Sequence, residues 1–285
     1  MLVLAVVVLF AWLRVRSDEA TISEITRELR PSIGSDAPPV PEPLLLDLDV
    51  SWAYVIVKPG EEGQPLGLFA TYDADRFLLE VTPEDEVGRD NVLGVRFVPM
   101  GSKTIAALRP MVGGTLPRME IHVPPGIPVG IRAKFDGGHA LFELGELWLT
   151  DVDLAIDRGL MQVQFRGPTA WPVESMDLSC RGGNLVLYNI GHASPRRLTV
   201  HQGMGPGFFD LAGDWRTDSE VQVTVAFGTG HLRIPEGVGV RGLEGEFERF
   251  NRAAPADGTE LGPPVLDMNA HYDAGLIQVS VVPAE

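Results

Sequence analysis

One short phrase, repeated six times between Ala133 and Val281, limits what this chain can fold into more than any other feature. Each copy reads apolar-x-apolar, a few turn residues, glycine, x, apolar, x, apolar. The anchoring glycines are Gly138, Gly159, Gly183, Gly207, Gly230 and Gly275. Pairs such as Ala140 and Phe142, Leu185 and Leu187, or Ile277 and Val279 follow them. Pairs such as Ala133 and Phe135, Leu178 and Cys180, or Val225 and Phe227 precede them. In the fourth copy the leading pair is Leu198 and Val200, set before Gly203, so that turn reads as four residues longer. The glycine steps are 21, 24, 24, 23 and 45 residues, the last about two periods.

Alternation with a period of two marks a strand with one buried face. A glycine between two such runs supplies a tight bend without a Cβ. Self-similarity every 20 to 25 residues marks a stacked architecture, because one unit cannot bury its apolar face alone. The expectation is an all-β, single-domain β-solenoid of glycine-centred repeats, each period one coil paired in parallel with the next. An array of hairpins turning at the glycine also satisfies the alternation. The turn dipeptides, among them Gly-Gly, Arg-Gly, Pro-Gly and Ala-Gly, are not the Asn-Gly or Asp-Gly of strong hairpins, which favours the solenoid.

Residues 2–13 form an unbroken apolar run. Extended to residues 1–15 it makes about 22 Å of helix, short of a hydrocarbon core of about 30 Å. The preferred reading is an N-terminal membrane anchor over residues 1–16; a cleaved signal and a buried segment are the alternatives. Arg14 and Arg16 follow the run and by the positive-inside rule would hold the body of the chain in the cytoplasm. Residues 17–30 read as a short helix: Ile22, Ile25 and Leu29 share a face, Thr21 and Glu24 have capping-box spacing, and Pro31 ends it. Residues 31–43, rich in proline, read as an extended linker. Residues 44–118 lack the glycine phrase and are assigned to an N-terminal β-layer or cap. Residues 119–285 hold the repeats, with an insertion at 245–264 where the pattern breaks.

The net charge of −16 disfavours nucleic acid as a partner. The single cysteine, Cys180, falls at an inward position and reads as a small core hydrophobe. Asp151, Asp153 and Asp157 are too few oxygens for a hard cation and read as a solvated edge. The histidines at 122, 139, 192, 201, 231 and 271 show no metal-ligand spacing, although His139 and His231 read as the same outward position of two separate repeats. Gly203, Gly205 and Gly207 lack the strand-to-helix setting of a phosphate loop and read as a widened turn. No catalytic, cofactor or metal residues are assigned.

The start at Leu46, Leu48 and Val50, and the later run from Arg76 to Glu80, resemble the N-terminal module of bacterial toast-rack proteins. The glycine-centred repeats of 131–240, closing on Ile-Pro-Glu-Gly-Val-Gly-Val, resemble the C-terminal domain of the cell-wall-active antibiotics response family and related bacterial adhesin β-solenoids. That resemblance implies a membrane-linked, non-enzymatic domain for envelope-stress sensing or adhesion, displayed on the periplasmic or extracellular side of the cell membrane. The leading expectation is an envelope protein that binds the membrane through residues 1–15 and holds a protein partner as scaffold, sensor or regulator. The first rival is a surface adhesin that takes cell-wall glycan on Trp148, Trp171 and Trp215. The second is a carbohydrate-active enzyme with a carboxylate pair in a groove.

Overall fold

The structure is a computed structural model. It describes residues 21–27, 43–82, 92–101, 116–253 and 264–283. The expected anchor at 1–16, the proline-rich linker over all but Pro43, and part of the insertion at 245–264 lie outside these residues. No helix among the described residues is long and apolar enough to cross a membrane.

The fold is all-β. In chain order the strands are β1 (Thr21–Arg27), β2 (Leu44–Pro59), β3 (Leu66–Tyr72), β4 (Phe77–Thr82), β5 (Val92–Pro99), β6 (Arg118–Val123), β7 (Pro128–Glu143), β8 (Trp148–Gln164), β9 (Ser175–Tyr188), β10 (Arg197–Asp210), β11 (Ser219–Pro235), β12 (Gly239–Arg241), β13 (Val265–Tyr272) and β14 (Leu276–Val282). They form one hydrogen-bonded sheet system. Its body is a parallel run, β2-β7-β8-β9-β10-β11, continued by β13 and β14 end to end along the two halves of β11. Each glycine of the phrase lies inside a long strand or, for Gly275, between two strands that share one neighbour. None closes an antiparallel hairpin loop within the run.

The register explains the period. Leu48, Ala133, Leu154, Leu178, Val200, Val223 and Ala270 occupy one rung after another. Val57, Phe142, Val163, Leu187, Phe209, Leu232 and Val279 do the same on the far half of each strand. All but Ala270 and Val279 are buried, and those two pack against the same core. A buried leucine or phenylalanine contributes about 1.5–3 kcal/mol, so continuity of these ladders holds the coils together. Between the halves each chain bends at a glycine corner. Gly138, Gly159, Gly183, Gly205 and Gly228 all have positive φ, from 112° to 132°. They sit directly on one another: a Cβ on Gly159 would run into the carbonyl oxygen of Gly138, and one on Gly183 into that of Gly159.

The corner glycines of the fourth and fifth copies are therefore Gly205 and Gly228, two residues before the Gly207 and Gly230 that the spacing singles out. Gly207 and Gly230 instead occupy an inward rung beyond Leu185, where the ring of Phe209 fills the space a Cβ would need. Nor does the fourth turn carry extra residues. Val200 pairs with Leu178, and Gln202 pairs with Cys180. A glutamine in an inward slot disguised the phrase.

Two further expectations change. Residues 21–27 of the expected helix at 17–30 are a strand, paired antiparallel with β3 from Thr21 against Tyr72 to Arg27 against Leu66. Thr21, Ile22, Ile25 and Thr26 are β-branched and lose rotamer freedom in a helix, and the edge of β3 offers a full-length partner. β2, assigned with residues 44–118 to a separate layer, is itself the first member of the parallel run. It turns the corner without glycine: Trp52 has φ 55° inside a bulge, and its ring lies where a Cβ on Gly137 would go. The rest of that block does cover the end of the run. β5 and β6 flank the two halves of β2, and the antiparallel strands β4, β3 and β1 follow outward.

Candidate binding surface

Return loops connect the end of each long strand to the start of the next, away from the mid-strand corner. These loops are joined by backbone hydrogen bonds, among them Thr169 N–H to the carbonyl of His192 and Val173 N–H to that of Ala193, and by side chains. Arg216 donates through Nη1 to the carbonyl of Thr169 (2.9 Å) and through Nη2 to Thr169 Oγ1 (2.9 Å) and the carbonyl of His192 (3.2 Å). Its own backbone N–H donates to Ser194 Oγ at 2.8 Å. One arginine thus ties three successive loops, and desolvation lowers its pKa from the ordinary guanidinium value. Thr169 Oγ1 passes the connection on by donating to the carbonyl of Trp171 at 2.7 Å.

This network, anchored on buried Thr169 and Ser194, carries an aromatic pair on the outside. Trp148, the first residue of β8, and Trp171 have ring centroids 6.3 Å apart and planes inclined at 48°. Trp171 is 60% exposed. Its loop is pinned from within by Thr169 and by the N–H of Ala170 donating to the carbonyl of Leu147 at 3.1 Å. Glu174, ion-paired with Arg196 at 3.3 Å, and Ser175, donating to Asp151 at 3.0 Å, follow along the same stretch. An exposed indole face on a rigid loop beside polar side chains suits a ligand with a flat apolar face and many hydroxyls. Trp215, the third candidate for such a platform, is only 7% exposed and donates its indole N–H to the carbonyl of Leu211 at 2.8 Å. It belongs to the core.

The remaining sequence candidates are dispersed. Asp153 lies 4.0 Å from Arg132, and Asp157 is 3.2 Å from Arg181. His139 and His231 are not equivalent. His139 is one residue beyond its corner glycine, on the rung of Tyr54 and Leu160; His231 is three beyond Gly228, on the rung of Phe208 and Gln278. The misplaced corner glycine of that copy is the reason. His231 hydrogen-bonds Ser280 at 3.0 Å. Among the described residues no three His, Cys, Asp or Glu side chains converge on one point. Gly203, Gly205 and Gly207 lie inside β10 rather than in a loop. Cys180 is fully buried, and burial pushes its thiol up to about 11.

Two features escaped the sequence. Gln202 is fully buried and donates to the carbonyls of Gly183 (2.9 Å) and Met204 (3.1 Å), bracing the corner from inside. Its place two residues from Val200, in the alternating register, was the available signal. Met204 and Phe227 pair across β10 and β11 just before the corner, 60% and 57% exposed. Phe227 reads as inward only when Gly230 is taken as its anchor.

No family model matches the sequence, and no curated protein matches it. Solved structures with a related all-β fold include a candidate cell adhesion protein from Clostridium sporogenes ATCC 15579, with 12% identity, a TM-score of 0.45, and 93% of this chain and 100% of that chain covered. A candidate adhesin from Bacteroides fragilis NCTC 9343 shows 12% identity, a TM-score of 0.40, and coverage of 93% and 98%. A candidate adhesin from Parabacteroides merdae ATCC 43184 shows 9% identity, a TM-score of 0.26, and coverage of 93% and 97%. At these identities and scores they assign no family.

Proposed function

We propose that the parallel run is a β-solenoid that serves as a non-enzymatic, adhesin-type binding module of the cell envelope, tethered to the membrane by residues 1–15 and taking cell-wall glycan on the Trp148–Trp171 surface. The observation that carries this reading is the exposed Trp171 ring beside Trp148, held by the Arg216–Thr169 network. Sugar rings stack their apolar faces on indoles while polar neighbours take the hydroxyls.

Co-sedimentation of the full chain with insoluble cell-wall polysaccharide tests it. Trp171→Ala is expected to weaken binding about tenfold, the loss of roughly 1.4 kcal/mol that one stacked ring supplies, without changing the unfolding midpoint. Wild-type protein that stays in the supernatant with every cell-wall polysaccharide would sink the proposal.

A second reading, a scaffold for a protein partner, is favoured by the exposed Met204–Phe227 pair. Such adjacent apolar side chains fit the core of a protein interface better than a sugar. Recovery of one membrane protein by cross-linking, lost in Phe227→Ser but kept in Trp171→Ala, would establish that reading instead.

A further inference from the structure

The C-terminal end of the run is closed unequally. β13 has β11 on one side and β12 on the other over Val265–Asp267. β14 has only β11 as a partner among the described residues. Along it runs a groove of about 390 Å³ between Ile277, Val279 and a short 3-10 turn, Gly245–Phe250, that brings Glu246, Phe247, Arg249 and Phe250 to the other wall.

Unpaired strand edges are normally guarded by charges, proline or bulges, because their free N–H and C=O groups template pairing with another chain. The other outer strands follow that rule: β1 carries Glu24 and Arg27, and Glu80 of β4 pairs with Arg96. β14 reads Leu-Ile-Gln-Val-Ser-Val-Val, without charge or proline, in a chain of net charge −16. Two copies that meet at this strand set no charged strand residue against another. The neighbouring turn carries two acids, Glu246 and Glu248, and one base, Arg249. Arg249 lies over the ring of Phe250 at 4.9 Å and forms no ion pair among the described residues, and neither does Glu248. Glu246 accepts from the hydroxyl of Tyr272 at 2.7 Å.

We propose that β14 is a self-association edge: the β14 strands of two copies pair antiparallel about a two-fold axis, joining both sheets, with the Gly245–Phe250 turns flanking the seam. A two-fold interface meets its own surface, so it must be self-complementary. A neutral strand satisfies this, and so does a turn in which Arg249 can face the partner's Glu248 reciprocally. A foreign strand of either charge would leave one of these two residues unmatched. A seven-residue edge is smaller than the interfaces of permanent dimers, so the association is reversible and concentration dependent. It places two Trp171 surfaces on one particle, which raises avidity for a repetitive polymer without any new contact.

Sedimentation velocity of the full chain in detergent, over a dilution series, tests the proposal. Gln278 is exposed at the middle of β14, so its replacement leaves the fold intact, as circular dichroism would verify. Gln278→Lys and Gln278→Glu each set like charges against each other across the axis and are expected to weaken the dimer at least tenfold. An equimolar mixture of the two variants should recover it as a heterodimer. A wild-type chain that remains monomeric through the series overturns the proposal, even if a foreign peptide binds the edge. Variants that dimerise as the wild type does overturn it as well.

Discussion

The glycine corner, in the middle of each long strand, and the return loops, between the strands, hold the same stack by different means. At the corner the backbone does the work: Gly138, Gly159, Gly183, Gly205 and Gly228 stack with carbonyl oxygens where side chains would begin. At the return loops backbone hydrogen bonds such as Thr169 N–H to the carbonyl of His192 are joined by side chains, with Arg216 spanning to Thr169 across 47 residues of sequence. The corner tolerates almost nothing because its tolerance is steric. The loops hold tight positions too, such as Gly213 with φ 118° against His192, but leave others, such as Gly167, free. That freedom leaves the loops as the place where a ligand surface such as Trp148–Trp171 can be carried.

The sharpest way to break this contrast is at the corner. Gly159→Ala must accept a positive φ of 129° and a clash with the carbonyl of Gly138. The two costs together are expected to reach about 3 kcal/mol, read as a large fall in the denaturant midpoint. A loss below about 1 kcal/mol would mean that the corner is plastic. Next in size is Arg216→Met, which keeps the aliphatic stem and removes donors from the Thr169 and His192 acceptors. The expected cost is about 2 kcal/mol, together with faster hydrogen exchange at Ala170 and weaker glycan binding through a loosened Trp171. If stability falls while exchange at Ala170 is unchanged, the network does not support that loop. The smallest effect is expected at Gly167, a return-loop glycine with open space around its Cα and no positive φ. Gly167→Ala should leave the midpoint unchanged or raise stability by about 0.4–1 kcal/mol, because it restricts the unfolded chain. A loss comparable to that at Gly159 would erase the distinction between the two regions.

How much could be read in advance follows from the same contrast. The inward ladders were legible because alternating Val, Leu, Ile and Phe must face a core on one side, and the corner was legible wherever its glycine stood alone. Legibility failed where another residue shared or took the role. Gly203, Gly205 and Gly207 offered three choices for one corner. Gln202 put an amide into an apolar rung. Trp52 turned the first corner with no glycine at all, hiding β2 from the repeat. The strand at Thr21–Arg27 read as a helix because Ile22 and Ile25 fit either period, and only the edge of β3 decides between them. Of the candidate surface, the sequence marked the tryptophans but could not separate exposed Trp171 from buried Trp215.

The sequence by itself determined an all-β chain of alternating strands with a glycine at most bends, since period-two burial and a backbone contact closed to Cβ leave few other arrangements. Tertiary structure alone decided which glycine of a cluster forms the corner, which tryptophan meets solvent, and which strand has one partner rather than two among the described residues. Those outcomes depend on residues 20 to 50 apart along the chain meeting at one rung, and local propensity carries no record of such meetings.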